Sequence, residues 1–264
     1  MPYRRGFVAS FIEDVQSSGR LTFREEDIPA RDDAVTAVPA ALRRLQVAGK
    51  IRRIAKRSGL FVIVPPEFRA HGVPPVDWWL DDFMAYLGIP YYVGHLTAAK
   101  WHGSSHYAVM EMQVVVPAQR KPILLGRTKI RFFVSDRVTK TPTEKRNNLW
   151  GKIAVSTPAA TLADLSEQRH FGPDRLAMIA RDLAAKLTQS DILLTLEAAG
   201  SMPTAQRLGF LLENVGARKP ASWVGRWIGE KPKRVVPLDS SAPTTHRVDS
   251  RWLVDINTDL AESE

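Results

Sequence analysis

The chain has 264 residues, of which 44% are hydrophobic and 25% charged, a globular composition that leaves room for one large domain or two modest ones and excludes a disordered or coiled-coil chain. It holds no cysteine, which excludes disulfides, thiolate metal sites, iron–sulfur clusters and cysteine nucleophiles, and suits a reducing cytosol. Lys and Arg number 37 against 28 Asp and Glu, a formal net charge of +9 that points to a polyanionic partner if the cations cluster. No apolar run approaches the roughly 18 residues of a membrane span, and nothing targets the chain outward, so the expected location is the cytoplasm, with no membrane partner.

Apolar residues at Phe7, Val8, Phe11, Ile12 and Val15 keep a helical period that Ser17, Ser18 and Gly19 stop. Thr22 followed by Glu25 has the spacing of a capping box and predicts a short second helix ending near Ile28 and Pro29. A third helix is expected from about Val38 and Pro39 to Gly49, with Val38, Ala41, Leu42 and Leu45 packed inward and Ala40, Arg43, Arg44 and Val47 presented. Ile51 to Lys56 and Leu60 to Val64 then read as two short strands turned through Arg57, Ser58 and Gly59.

Within this stretch Arg43, Arg44, Lys50, Arg52, Arg53, Lys56 and Arg57 form a run of seven cations with no acid among them. Helix, helix, helix, hairpin is the order of a winged helix-turn-helix, whose third helix enters the DNA major groove while the hairpin lies along the backbone. Residues 1–70 are therefore expected to bind double-stranded DNA, the other reading of the same order being a protein-binding winged helix. Thr36, Ala37, Ala40 and Arg43 are the candidates for base edges, Arg43 through a bidentate bond to guanine. Arg44, Lys50, Arg52, Arg53, Lys56 and Arg57 are the candidates for phosphates, which set affinity and salt dependence but not sequence. One such module offers few base contacts, so a homodimer or two copies on an inverted repeat are expected.

Residues 71–77, with Pro74 and Pro75, read as a linker, and 78–264 as a larger mixed α/β domain, with a subdivision near His170 left open. The expected class is thus α+β, a winged helix-turn-helix followed by this larger domain. In it, Trp78 to Leu87 and His95 to His102 read as helices flanking a turn or short strand at Tyr91 to Gly94. Glu111 to Val116 and Thr128 to Val134 read as strands of one hairpin turned through Pro122 and Gly126, and Leu149 to Val155 as a third strand. Thr157 caps a helix reaching about Glu167, with Pro158 in its first turn. Helices follow at Pro173 to Lys186, Ser190 to Ala199, Pro203 to Val215 and Ala221 to Ile228, then strands at Lys233 to Pro237 and Arg251 to Ile256.

Six segments of this domain carry a family likeness: Gly88 to Gly103 (GIPYYVGHLTAAKWHG), Gln113 to Pro117 (QVVVP), Val155 to Leu165 (VSTPAATLADL), Arg207 to Glu213 (RLGFLLE), Val236 to Asp239 and Trp252 to Asn257. Together with the winged-helix start, they make the chain resemble the AbiEi antitoxins of type IV toxin–antitoxin systems along nearly its whole length. The resemblance implies a repressor of its own operon that counteracts a cognate nucleotidyltransferase-like toxin without a stable complex between the two. A stand-alone winged-helix transcription factor with a ligand-sensing or dimerisation domain is the alternative, and a degenerate nucleotidyltransferase or nuclease a further one.

Chemistry is sparse. Gly103 and Ser104 followed by Glu111 and Gln113 resemble a nucleotidyltransferase pattern, but Gln113 stands where a second metal-bridging carboxylate is needed. His95, His102 and His106 could share a metal, yet Gly103 ends the helix between them and no carboxylate stands at helical spacing. With no nucleophile elbow, phosphate loop or dinucleotide fingerprint, neither an enzyme nor a metal or cofactor is expected. The seven tryptophans are scattered in apolar helix patterns and fit core or interface anchors better than a base-stacking platform. Arg137, Lys140, Lys145, Arg146 and Lys152, around Trp150, read as a solvated basic loop, with an additional nucleic-acid surface as the alternative.

Overall fold

The computed structural model describes residues 6–29, 37–56, 58–104, 109–168, 171–231, 233–258 and 260. These residues are α+β, with helices and three separate sheets among them. Helix α1 (Phe7–Ser17) buries Val8, Ile12 and Val15. The next segment departs from the expected second helix. Leu21, Thr22 and Phe23 are all buried, and strand β1 (Thr22–Arg24) takes up the backbone groups that a helix cap would have served. The Thr22 hydroxyl donates to Asp82 Oδ2 at 2.5 Å instead of capping. A three-residue 3-10 turn, Glu25–Asp27, follows, and Asp27 accepts the Arg24 backbone N–H at 2.8 Å. Residues 30–36 lie outside the described part.

Helix α2 (Ala37–Val47) ends where Gly49 adopts φ 65°, a left-handed conformation open to glycine, and the Lys50 N–H closes back on the Leu45 carbonyl at 2.9 Å. Strands β2 (Ile51–Arg53) and β3 (Leu60–Ile63) pair antiparallel, Ile51 against Ile63 and Arg53 against Phe61. β1 adds to the other side of β3, so the sheet runs β1-β3-β2. Every residue of β3 is buried, and the period of two explains how: Phe61 and Ile63 join the core of α1 and α2, while Leu60 and Val62 face a second core built by the residues that follow.

Val73 and Val76, within the segment read as a linker, are buried in that second core, and the Trp79 indole donates to the Pro74 carbonyl at 3.2 Å. Helix α3 (Leu80–Leu87) supplies Leu80, Phe83 and Met84. Behind it stands a six-stranded mixed sheet made of β4 (Tyr92–Val93), β5 (Met112–Val116), β6 (Ile123–Leu125), β7 (Thr128–Val134), β8 (Thr143–Asn148) and β9 (Gly151–Ser156), in the order β6-β7-β5-β4-β9-β8. Helix α4 (His95–Trp101) follows β4 and packs against β5.

The expected hairpin of β5 with β7 does not form. The two run parallel, Val114 beside Phe132, and the hairpin through Gly126 joins β7 to β6, too short to show an alternating pattern. Strand β8 carries no apolar pattern because it is an exposed edge strand, and among the described strands it pairs only with β9.

The remaining helices α5 (Pro158–Ser166), α6 (Pro173–Leu183), α7 (Gln189–Ala199), α8 (Met202–Asn214) and α9 (Arg218–Ile228) pack around a core of their own. The Thr157 hydroxyl caps α5, accepting the Ala160 N–H at 3.4 Å with Pro158 in the first turn, as its sequence predicts. A small sheet of β10 (Val236–Pro237), β11 (Val248–Asp249) and β12 (Val254–Asp255) closes this core and carries Trp252 into it. His170, where a subdivision was left open, lies outside the described residues. No described helix is long and apolar enough to cross a membrane.

Candidate nucleic-acid interface

Helix α2 shows a single buried anchor, Leu42 at 2% exposure, with Val38, Ala41 and Leu45 half-buried around it. Ala40, Arg43, Arg44 and Val47 are exposed on the other side, and Val47 at 83% is an apolar side chain with almost no cover. An arginine pair beside a bare valine suits a DNA groove, where guanidinium reaches guanine or phosphate and a methyl group meets thymine. Lys50 and Arg52 continue the exposed basic surface onto β2, and Lys56 onto the turn that follows. Thr36 and Arg57, both candidates from the sequence, lie outside the described residues.

Arg53 differs from its neighbours. Its guanidinium donates to the Ser58 carbonyl at 2.6 Å, pairs with Glu25 at 3.3 Å and lies 4.5 Å from the Phe61 ring centroid. These contacts shape the turn between β2 and β3. Ser58 completes it, its hydroxyl bonded to both the N–H and the carbonyl of Ala55. From outside, the Tyr86 hydroxyl of α3 accepts the Gly59 N–H at 3.0 Å. Replacing Arg53 by Met keeps the contact with Phe61 but removes the polar ones, and is expected to cost about 1–2 kcal/mol in urea denaturation.

An open groove between this turn and β6 brings Arg120 and Lys121 to the same side as Lys56, above an apolar floor that includes Ile54, Phe83 and Leu125. The sequence offered no signal for these two cations, which lie more than sixty residues from Lys56. Of the second basic stretch, Arg146 lies over the Trp101 ring and donates to the Trp101 carbonyl at 3.0 Å. Trp150 packs against Trp78 at the border of the two cores. Arg137 joins the sheet to the helices by donating to the Ala199 carbonyl at 2.9 Å and to the Glu167 carboxylate.

Beside Arg137, the Asp164 carboxylate accepts the Tyr92 hydroxyl at 2.9 Å, next to a hollow about the size of one water molecule. Burial pushes the Asp164 carboxyl up to about 7, opposed by the Tyr92 hydrogen bond, helped by the charge of Glu167 and opposed again by Arg137.

The residues weighed for catalysis are tied into the fold. Glu111 is held by Lys129 at 2.7 Å and Arg131 at 3.3 Å, and these contacts outweigh its desolvation and keep its carboxyl below the usual range. Gln113 turns its amide oxygen to the Leu96 N–H at 2.8 Å, a backbone contact in place of a second carboxylate. Burial lowers His95 to about 3, with the charge of Arg131 adding to the effect; it stacks near Phe133 and contacts Gln168 at 2.6 Å. His102 meets the Ser156 carbonyl at 2.7 Å. His106 is outside the described residues, among which no three metal-ligating side chains converge.

Residues 92–214, from β4 through α8, match the family described as AbiEi antitoxin C-terminal domain. The segments Val155 to Leu165 and Arg207 to Glu213, and Gly88 to Gly103 from residue 92 onward, which carry the resemblance in the sequence, lie within this match. The crystal structure of the RV2827C protein from Mycobacterium tuberculosis is similar, with a TM-score of 0.63 over 94% of this chain and 90% of that one at 16% identity, a likeness of fold. No curated protein matches.

Proposed function

We propose that the chain is the antitoxin of a type IV toxin–antitoxin system and a cytoplasmic repressor of its own operon, counteracting a nucleotidyltransferase-like toxin without a stable complex. In this reading residues 1–70 are a winged helix-turn-helix, α2 its recognition helix and β2–β3 its wing. The domain that matches the AbiEi family carries the neutralising function. The observation that supports it most is the one-signed exposed surface: Ala40, Arg43, Arg44 and Val47 on α2 continue into Lys50, Arg52 and Lys56 with no acid in the run. Arg53 serves by holding the wing in shape. The protein uses no metal or cofactor and catalyses no reaction of its own.

Footprinting on the protein's own upstream region, followed by gel shifts at two salt concentrations, tests this. Protection of an inverted repeat is expected. Arg43→Ala should lose roughly 1–3 kcal/mol of affinity and relax base preference at one position, whereas Arg52→Ala or Lys56→Ala should weaken binding to all sequences alike and lower the salt slope by about one. Identical behaviour of the Arg43 and Arg52 variants would remove the assignment of α2 as the reading helix.

A further inference from the structure

The seven tryptophans do not share one role. Trp79 and Trp252 are buried anchors, at 0% and 1% exposure. Trp223 and Trp227 are half-buried on α9, beyond the residues shared with the AbiEi family, each resting on the helical core and each covered by a cation. The Lys219 ammonium stands 5.7 Å from the Trp223 ring centroid, and that of Lys231 stands 3.4 Å from Trp227. Residues 219, 223, 227 and 231 follow one another every four positions, so lysine, tryptophan, tryptophan and lysine form a row down one side of the helix and its exit.

Arg218 and Arg226 are exposed on the same helix. From Arg218 to Arg234 the sequence carries six cations and one acid, Glu230.

We propose that this face binds single-stranded nucleic acid, each tryptophan stacking one base while the flanking lysines and arginines hold the phosphates. Aromatic rings set among cations are the arrangement that takes unpaired bases with little regard to sequence. The lysines already over the rings occupy the sites a base would take, and on displacement each remains within reach of that nucleotide's phosphate.

Spacing favours one strand over two. Residues four apart on a helix are separated by about 6 Å along its axis, while stacked bases in a duplex are about 3.4 Å apart. Two such rings can each take a base only from a strand opened beyond the stacking distance. This inference does not depend on the repressor reading, because α9 is not part of the proposed duplex-binding surface.

Fluorescence anisotropy of labelled oligouridylate and oligothymidylate, with the full-length protein at low ionic strength, tests the proposal. Binding with quenching of tryptophan emission is expected, and comparison of the two oligomers tells whether RNA or DNA is the better ligand. Trp223→Ala with Trp227→Ala should weaken binding by roughly a hundredfold or more, at about tenfold per stacked base. The corresponding Phe pair should retain most of the affinity, since it can still stack. Arg43→Ala with Arg44→Ala should leave single-strand binding unchanged.

Three results would overturn the proposal: an unaffected alanine pair, a duplex of the same length competing as well as the single strand, or loss of binding in the Arg43 and Arg44 variant. Should the alanine pair fail to fold, Lys219→Glu with Lys231→Glu decides, and unchanged affinity there rejects the site.

Discussion

Gly209→Ala is expected to destabilise the protein by at least about 3 kcal/mol, near or above the upper end for overpacking one methyl group. Gly209 lies in α8 directly under the six-membered ring of Trp252, and a Cβ built there would overlap that ring. The indole has nowhere to go. It is 1% exposed, its Nε1 donates to Glu213 at 2.5 Å, its backbone N–H donates to Asp249 at 2.7 Å, and its carbonyl accepts from Gln206 at 2.7 Å. Thermal unfolding should show a fall in Tm of roughly 6–12 °C for a chain of this size. Gly225→Ala is the control, because its Cβ would stand 3.7 Å from the same ring in ordinary contact. That change should be neutral or stabilising by up to about 1 kcal/mol through helix propensity.

Asp164→Asn is expected to abolish a pH dependence of stability. The carboxyl is pushed from 3.8 to about 7 in the folded chain, so between these values the folded state holds a proton that the unfolded state has released. Its contribution is therefore most favourable below about pH 4, falls as pH rises toward 7, and is flat above. The span is up to about 4 kcal/mol, from about 1.36 kcal/mol per unit. Asparagine keeps an acceptor for the Tyr92 hydroxyl and never ionises. Urea denaturation should find the variant more stable than the parent at pH 8 and no better than it at pH 4. Equal gaps at both pH values would show that Asp164 ionises freely.

Much of the architecture could be read from local pattern. The helices α1, α2 and α5 to α9 show the period, the cap or the closing glycine that physical chemistry asks of them, and β7 alternates out and in from Lys129 to Phe132. What escaped was non-local. Thr22 and Glu25 have capping-box spacing, but the burial of Leu21 and Phe23 beside β3 decides the conformation, and that partner lies nearly forty residues on. β8 could not announce itself, since an exposed edge strand needs no apolar face. The parallel pairing of β5 with β7 depends on sheet order, which no spacing encodes.

The candidate interface was legible as a run of charge and a helical face. The difference between Arg53 and Arg52 was not, because only the fold places Glu25, Ser58 and Phe61 around one guanidinium. Nor did the sequence show that Arg120 and Lys121 come to the same groove as Lys56.

Strand β3 has no outside. Because Leu60 and Val62 belong to one core and Phe61 and Ile63 to the other, the amino-terminal module cannot be exchanged between relatives as a cassette. A graft ending at residue 70 would carry an orphaned oily flank into water, and a recipient would receive a strand cut for another molecule's socket. Changes on β3 therefore have to be matched on α3 and the central sheet, so the two halves are bound to evolve in step.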